Sequence, residues 1–157
     1  MPNTCPHCGC DNDLPPRSSV QHRRFFAVVA AAFDQWPHDH GFQPEDAEHL
    51  RAYLLIMAGW KEQAEVQFSK GGPEAIEAAA ITLKVMMKKL GKRVFANVDM
   101  DAKKIIGVIP RSIAYMTKKE MDHFEACRIF GRIDDIICDT IGVENTDKLL
   151  DEAKRAA

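Results

Sequence analysis

Arg17-Ser-Ser-Val-Gln-His-Arg-Arg-Phe-Phe-Ala-Val-Val-Ala-Ala-Ala-Phe-Asp-Gln-Trp36 is the stretch whose reading decides the fold. Ser18 and Gln21 have the Ser-x-x-Gln spacing of a capping box, in which a hydroxyl and an amide each satisfy a backbone donor left orphaned at a helix start. Pro37 closes the other end. Phe25, Val29, Ala32 and Trp36 recur at helical spacing with Phe26 and Phe33 beside them, so one broad face must be buried. Arg23 and Arg24 stand in the first turns, where the helix macrodipole already supplies positive partial charge and cations are disfavoured. That placement costs stability and invites a functional explanation.

Downstream, Pro44 with Glu45, Asp46 and Glu48 predicts a second helix with Leu50, Tyr53, Leu54 and Met57 inward and Gly59 at its end. Trp60 to Gly72 reads as a loop or short extended piece. Pro73 opens a third helix whose inner face carries Ile76, Ala79, Ala80, Leu83, Met87 and Leu90, with Gly91 as its stop. Alternation over Val94 to Val98, and an Ile/Val-rich run over Lys103 to Ile109, predict a β-hairpin. Thr117-Lys-Lys-Glu120 is a second capping box and opens the longest helix, striped by Phe130, Ile133, Ile137 and Ile141 and stopped by Gly142. A short helix over Thr146 to Ala156 follows, docked by Leu149 and Leu150. The expected class is α+β: four or five helices packed around a small antiparallel β-hairpin sheet, with a cysteine knuckle or tail over residues 1–16 and a single domain over 17–157.

The chain has 157 residues and a formal net charge of −2, and its charge is unevenly distributed. Residues 84–119 hold ten Lys or Arg against Asp99 and Asp101, a net +8, while each flank is −5. A basic band of this density is a surface for an anion. Lys88, Lys89, Lys92 and Arg93 lead into the first predicted strand, Lys103 and Lys104 into the second, and Arg111, Lys118 and Lys119 flank the start of the long helix. A hairpin would gather them onto one surface, with Phe95 and Tyr115 as stacking faces for unpaired bases. The plainer alternative is a solvated surface with favourable helix-end charges.

Cys5-Pro-His-Cys8-Gly is the most specific short motif, because a Cys-x-x-Cys turn lets two thiolates converge on one Zn²⁺. No second Cys-x-x-Cys exists, so a tetrahedral zinc site would be completed by Cys10, His7 or His22 nearby, by His38 or His40, or by a second subunit, with Cys10 and His22 the best local candidates. His38 and His40 in a polar loop read more simply as solvated side chains. The odd count of five cysteines argues against a secreted disulfide framework. With no apolar run long enough to span a bilayer and no signal-peptide pattern, the expected location is the cytoplasm. No Walker loop, dinucleotide fingerprint or nucleophile triad is present, and the expectation is a non-enzyme.

Arg17-Ser18-x-x-Gln21-x-Arg23-Arg24-Phe25-Phe26-Ala27 resembles the Arg-Ser-x-x-Gln-x-Arg, basic, aromatic, Ala stretch of the lambda NinB (Orf) recombination-mediator proteins and of related uncharacterised phage and prophage proteins. Gln21 to Ala27, Gly41 to Ala52 and Arg111 to Met116 look like the second group in particular, and the similarity covers about Arg17 to Gly142. It implies a homodimer in the bacterial host cell that binds DNA, favours single strands and cooperates with single-strand-binding protein during phage recombination. Gln21, Arg23 and Arg24 carry over as candidate DNA-binding positions. The cysteine knuckle has no counterpart in the lambda protein.

The leading expectation is thus a DNA-binding accessory protein for recombination or replication. A protein-interaction module, such as a phage adaptor or an inhibitor of a host complex, is the rival; a metal-dependent nuclease built on the His and Asp clusters is the weaker third. The knuckle generates a direct prediction. Elemental analysis of purified protein should show zinc that Cys5→Ser and Cys8→Ser remove, and equal metal content in all three proteins would dismiss the site.

Overall fold

The computed structural model describes residues 19–111 and 123–157. In chain order these form α1 (Ser19–Asp34), α2 (Ala47–Met57), β1 (Lys61–Gln67), α3 (Pro73–Lys89), β2 (Phe95–Asp99), β3 (Lys104–Pro110), α4 (His123–Ile141) and α5 (Thr146–Ala156). The class is α+β, with the helices and the small antiparallel sheet expected from the patterning. Residues 1–18, on which the expected cysteine knuckle or tail falls, and 112–122, on which the expected second capping box falls, lie outside the described residues. The chain divides into two compact units. One is helical and built from 19–58 with 123–157; the other is the intervening 59–111.

The helical unit is held by apolar stripes at helical spacing. Phe25, Val28, Val29 and Ala32 of α1, Leu50, Leu54 and Leu55 of α2, Ile129, Ile133 and Ile137 of α4 and Leu149 of α5 are almost inaccessible to solvent. Contacts join α1 to α2, α4 and α5, and α4 to α2 and α5. Phe25 also reaches Phe130 across α1 and α4, with ring centroids 5.0 Å apart. Trp36 lies just beyond the end of α1 yet is buried, and its indole N–H donates to the Phe42 carbonyl at 2.9 Å.

The second helix begins three residues later than Pro44 suggests. Asp46 stands in extended conformation (φ −157°) and its carboxylate accepts the His49 N–H at 2.7 Å, so it is the N-cap and Pro44 belongs to the approach. The connecting loop is tied by its own side chains. Gln43 donates to the carbonyls of Pro37 and His40 at 2.9 and 2.8 Å, and His40 Nδ1 accepts the Phe42 N–H at 3.0 Å. Phe42 stacks on Tyr53 at 3.9 Å. Met57, expected inward, is half exposed because it falls in the last turn of α2.

In the β unit the strand order is β1-β3-β2, antiparallel at both junctions. β1 and β2 therefore run parallel to each other on either side of β3, joined through α3, in a split β-α-β arrangement. Gln63, Val108 and Phe95 form one row across the sheet, and Gln67, Lys104 and Asp99 another. Ile76 and Ala80 of α3 bury against Ile105, with Leu83, Ala96, Val98 and Met100 packed around them. β1 is the piece that its residues signal least. Lys-Glu-Gln-Ala-Glu-Val-Gln is exposed along its whole length, and its charges suit an edge strand that must resist pairing with other chains.

Core and surface positions should separate cleanly on truncation. Ile137→Ala should lower unfolding free energy by about 2–5 kcal/mol, the usual cost of a buried Ile-to-Ala cavity. Met57→Ala should change it by less than about 0.5 kcal/mol, as surface substitutions do. Urea titration followed by circular dichroism measures both; similar costs at the two sites would overturn this packing.

Candidate nucleic-acid interface

The densest basic group in the β unit is placed by the way α3 ends. Leu90 is the C-cap and Gly91 follows with φ +72°, a left-handed conformation that glycine takes without side-chain penalty. The Gly91 N–H bonds to the Lys88 carbonyl at 3.0 Å and the Lys92 N–H to the Met87 carbonyl at 2.9 Å, the paired closure of a Schellman motif. This turn delivers Lys88, Lys89, Lys92 and Arg93 to the end of α3 just before β2 begins. Cations there also offset the negative pole of the helix. Lys88, Lys89 and Lys92 are exposed and Arg93 is half-buried. Phe95 opens β2 and, by alternation with Ala96, points away from the α3 side of the sheet.

The sheet register divides the rest of the band. Lys103 and Lys104 enter β3 at the hairpin turn, whereas Arg111 follows its far end, seven residues or roughly 23 Å along an extended strand. The hairpin does not gather these residues onto one spot. Lys104 faces Asp99 and Gln67 on its neighbouring strands and pairs with Glu65 at 3.5 Å. Lys103 sits in the turn with φ +49°, beside an Asp99 carboxylate that accepts the Ala102 N–H at 3.0 Å. The Arg111 guanidinium lies 4.4 Å from the Trp60 ring centroid and reaches Glu62 at 3.8 Å, while its N–H bonds to the Trp60 carbonyl. Lys118 and Lys119 lie outside the described residues. Residues 59–111 hold ten Lys or Arg against six Asp or Glu, a net +4, whereas the described part of the helical unit holds eight against thirteen.

No family model, curated protein or solved structure matches the chain. The chemistry of the site therefore rests on its own residues.

On α1, Gln21 is half-buried and Arg23 exposed. Arg24, whose place in the first turns invites a functional explanation, is instead engaged within the fold. Its guanidinium donates to Asp134 of α4 at 3.3 Å, and to Thr146 Oγ1 and Asp147 at the start of α5 at 2.7 and 3.1 Å. Three helices are joined by one side chain. Partial burial lowers the Arg24 pKa, but hydrogen bonding and charge from Asp147 and Asp134 outweigh it, and the net direction is up. Asp134 is also raised, because burial disfavours its charge more than Arg24 and Thr146 restore it. The two directions differ in meaning: the cation gains from the cluster and the deeper carboxylate loses. Cys138, one turn on, is raised by burial and by Asp134, Asp135 and Asp139, which makes it a poor thiolate.

Of the proposed zinc ligands, Cys5, Cys8 and Cys10 lie outside the described residues, and His22 rests against the Phe26 ring at 4.7 Å. Among the described residues no three metal-ligating side chains come together. His40 Nδ1 is committed to the loop backbone. The partners of Lys104 and Arg111 were the part of the site hidden from sequence reading, since Glu62 and Glu65 lie on the strand that carries little β signal.

The Arg24 cluster predicts a pH-dependent cost of mutation. A carboxyl whose folded pKa is raised binds more protons when folded, so its contribution to stability falls as pH rises from the ordinary Asp value of 3.8 to the raised one. Arg24→Ala removes the cation and raises Asp134 further. With Arg24 and Asp134 40% and 33% exposed, the buried-pair penalty is discounted to about 1–2 kcal/mol at pH 7. At pH 4 the cost should shrink. Urea unfolding at both pH values measures it, and equal costs would refute the ionic role.

Proposed function

We propose that this chain is a non-catalytic DNA-binding accessory protein of phage or prophage recombination or replication, favouring single strands and acting in the cytoplasm of the bacterial host. The observation that carries the reading is the delivery of Lys88, Lys89, Lys92 and Arg93 to one end of a net-positive unit, next to Phe95. Phosphates are bound there by charge and counterion release, without base-specific contacts. Phe95 offers a ring on which an unpaired base stacks. The resemblance of Arg17 to Ala27 to recombination mediators supports the same reading and adds single-strand-binding protein as a working partner. Arg24, tied to Asp134, Thr146 and Asp147, contributes to α1 packing before it contributes to any ligand. Zinc on Cys5, Cys8, Cys10 and His22 is a separate proposal, decided by metal analysis.

Binding to a labelled single-stranded oligonucleotide should weaken with salt at a log–log slope of about −2 to −3, as expected for three or four neutralised phosphates at roughly −0.7 each. Replacing Lys89, Lys92 and Arg93 together by Glu should abolish retention with the far-ultraviolet circular dichroism unchanged. Lys103→Glu with Lys104→Glu should retain most of it, because these stand at the other end of the hairpin. Unchanged retention in the triple variant would dismiss the surface. Absence of DNA binding by the unaltered protein at low salt would transfer the same lysines to an acidic protein partner.

A further inference from the structure

α3 has two apolar faces, and the sheet uses one of them. Ile76, Ala80 and Leu83 point to the strands. On the opposite side Ile81 is 62% and Val85 50% exposed, one helical turn apart. These two belong to a regular seam. Glu74, Ala78, Ile81, Val85 and Lys88 recur at alternating spacings of four and three, the repeat by which one helix packs along another. The seam is acidic at its N-terminal end and basic at its C-terminal end, and its flank repeats the pattern with Glu77 and Lys84.

We propose that this seam is an isologous interface, on which α3 of a second copy of the chain packs antiparallel about a two-fold axis near Ile81. In that arrangement Ile81 meets its own copy and Ala78 lies level with Val85 of the second copy. Glu74 meets Lys88, and Glu77 meets Lys84, twice over by symmetry. Parallel pairing would set glutamate on glutamate and lysine on lysine. A uniformly acidic partner helix, or an anionic lipid surface, would be repelled by Glu74 and Glu77. The charge pattern is thus complementary to itself reversed, and to little else. A 17-residue helix is about 26 Å long, so the contact is at the small end of specific interfaces and the dimer is sensitive to protein concentration. Lys88 is shared between the seam and the basic group, and Lys89, Lys92 and Arg93 stand outside the contact. The proposal does not depend on nucleic-acid binding.

Sedimentation of the purified full chain across the micromolar range, without nucleic acid, tests it. The unaltered protein should pass from monomer to dimer, and Ile81→Glu, at an exposed position, should stay folded and monomeric. Glu74→Lys with Glu77→Lys makes the seam wholly basic, and Lys84→Glu with Lys88→Glu makes it wholly acidic. Each doubly substituted chain should be monomeric alone, and an equal mixture should form a heterodimer. A chain carrying all four substitutions should dimerise again. A monomeric unaltered protein, a dimer indifferent to Ile81→Glu, or a mixture that fails to associate would each overturn the interface.

Discussion

The isoleucine stripe of α4 is the constraint on which the helical unit depends. Ile129, Ile133 and Ile137 are each 0–1% exposed, and each fully buried side chain of this size contributes about 1.5–3 kcal/mol relative to exposure. In the folded unit α4 packs against α1, α2 and α5 together. The unit closes only when segments more than a hundred residues apart in sequence meet, as Arg24 and Asp134 do. The ionic cluster at that meeting adds direction to a contact whose energy is mostly apolar.

In the β unit the equivalent role falls to β3. It is the one strand with neighbours on both sides, and its residues Ile105 to Ile109 supply most of the sheet's apolar character. β1 and β2 gain their strand conformation from it. Charge follows the same logic: the acidic residues of β1 engage Lys104 and Arg111.

Most of the helical pattern was legible from residue spacing alone. The buried positions of α1 and α4, the stop at Gly91 and the short C-terminal helix follow from periodicity and capping chemistry. Three features did not. β1 has polar residues on both faces and a single β-branched side chain, so its conformation is a tertiary effect that intrinsic preference does not carry. The start of α2 was displaced because an Asp cap outcompeted a Pro at the first helical position. The basic band looked continuous along the sequence, yet β3 is long enough to hold its members apart. For Arg24 the electrostatic anomaly was visible in the sequence; its resolution by Asp134, Thr146 and Asp147 required the fold.

The split β-α-β order also sets a timetable for synthesis. β1 and β2 leave the ribosome first and are parallel to each other with a gap between them, so neither finds a hydrogen-bonding neighbour until β3 is made. The hydrogen-bonded sheet of this topology is complete only once about residue 110 has been made. The same delay holds for α1 and α2, whose apolar faces wait for α4 and thus stay open while the whole of residues 59–111 is translated. A cell making this chain must keep the Phe25 to Ala32 face from aggregating over that interval, which makes its vulnerability to misassembly a property of connectivity more than of final stability.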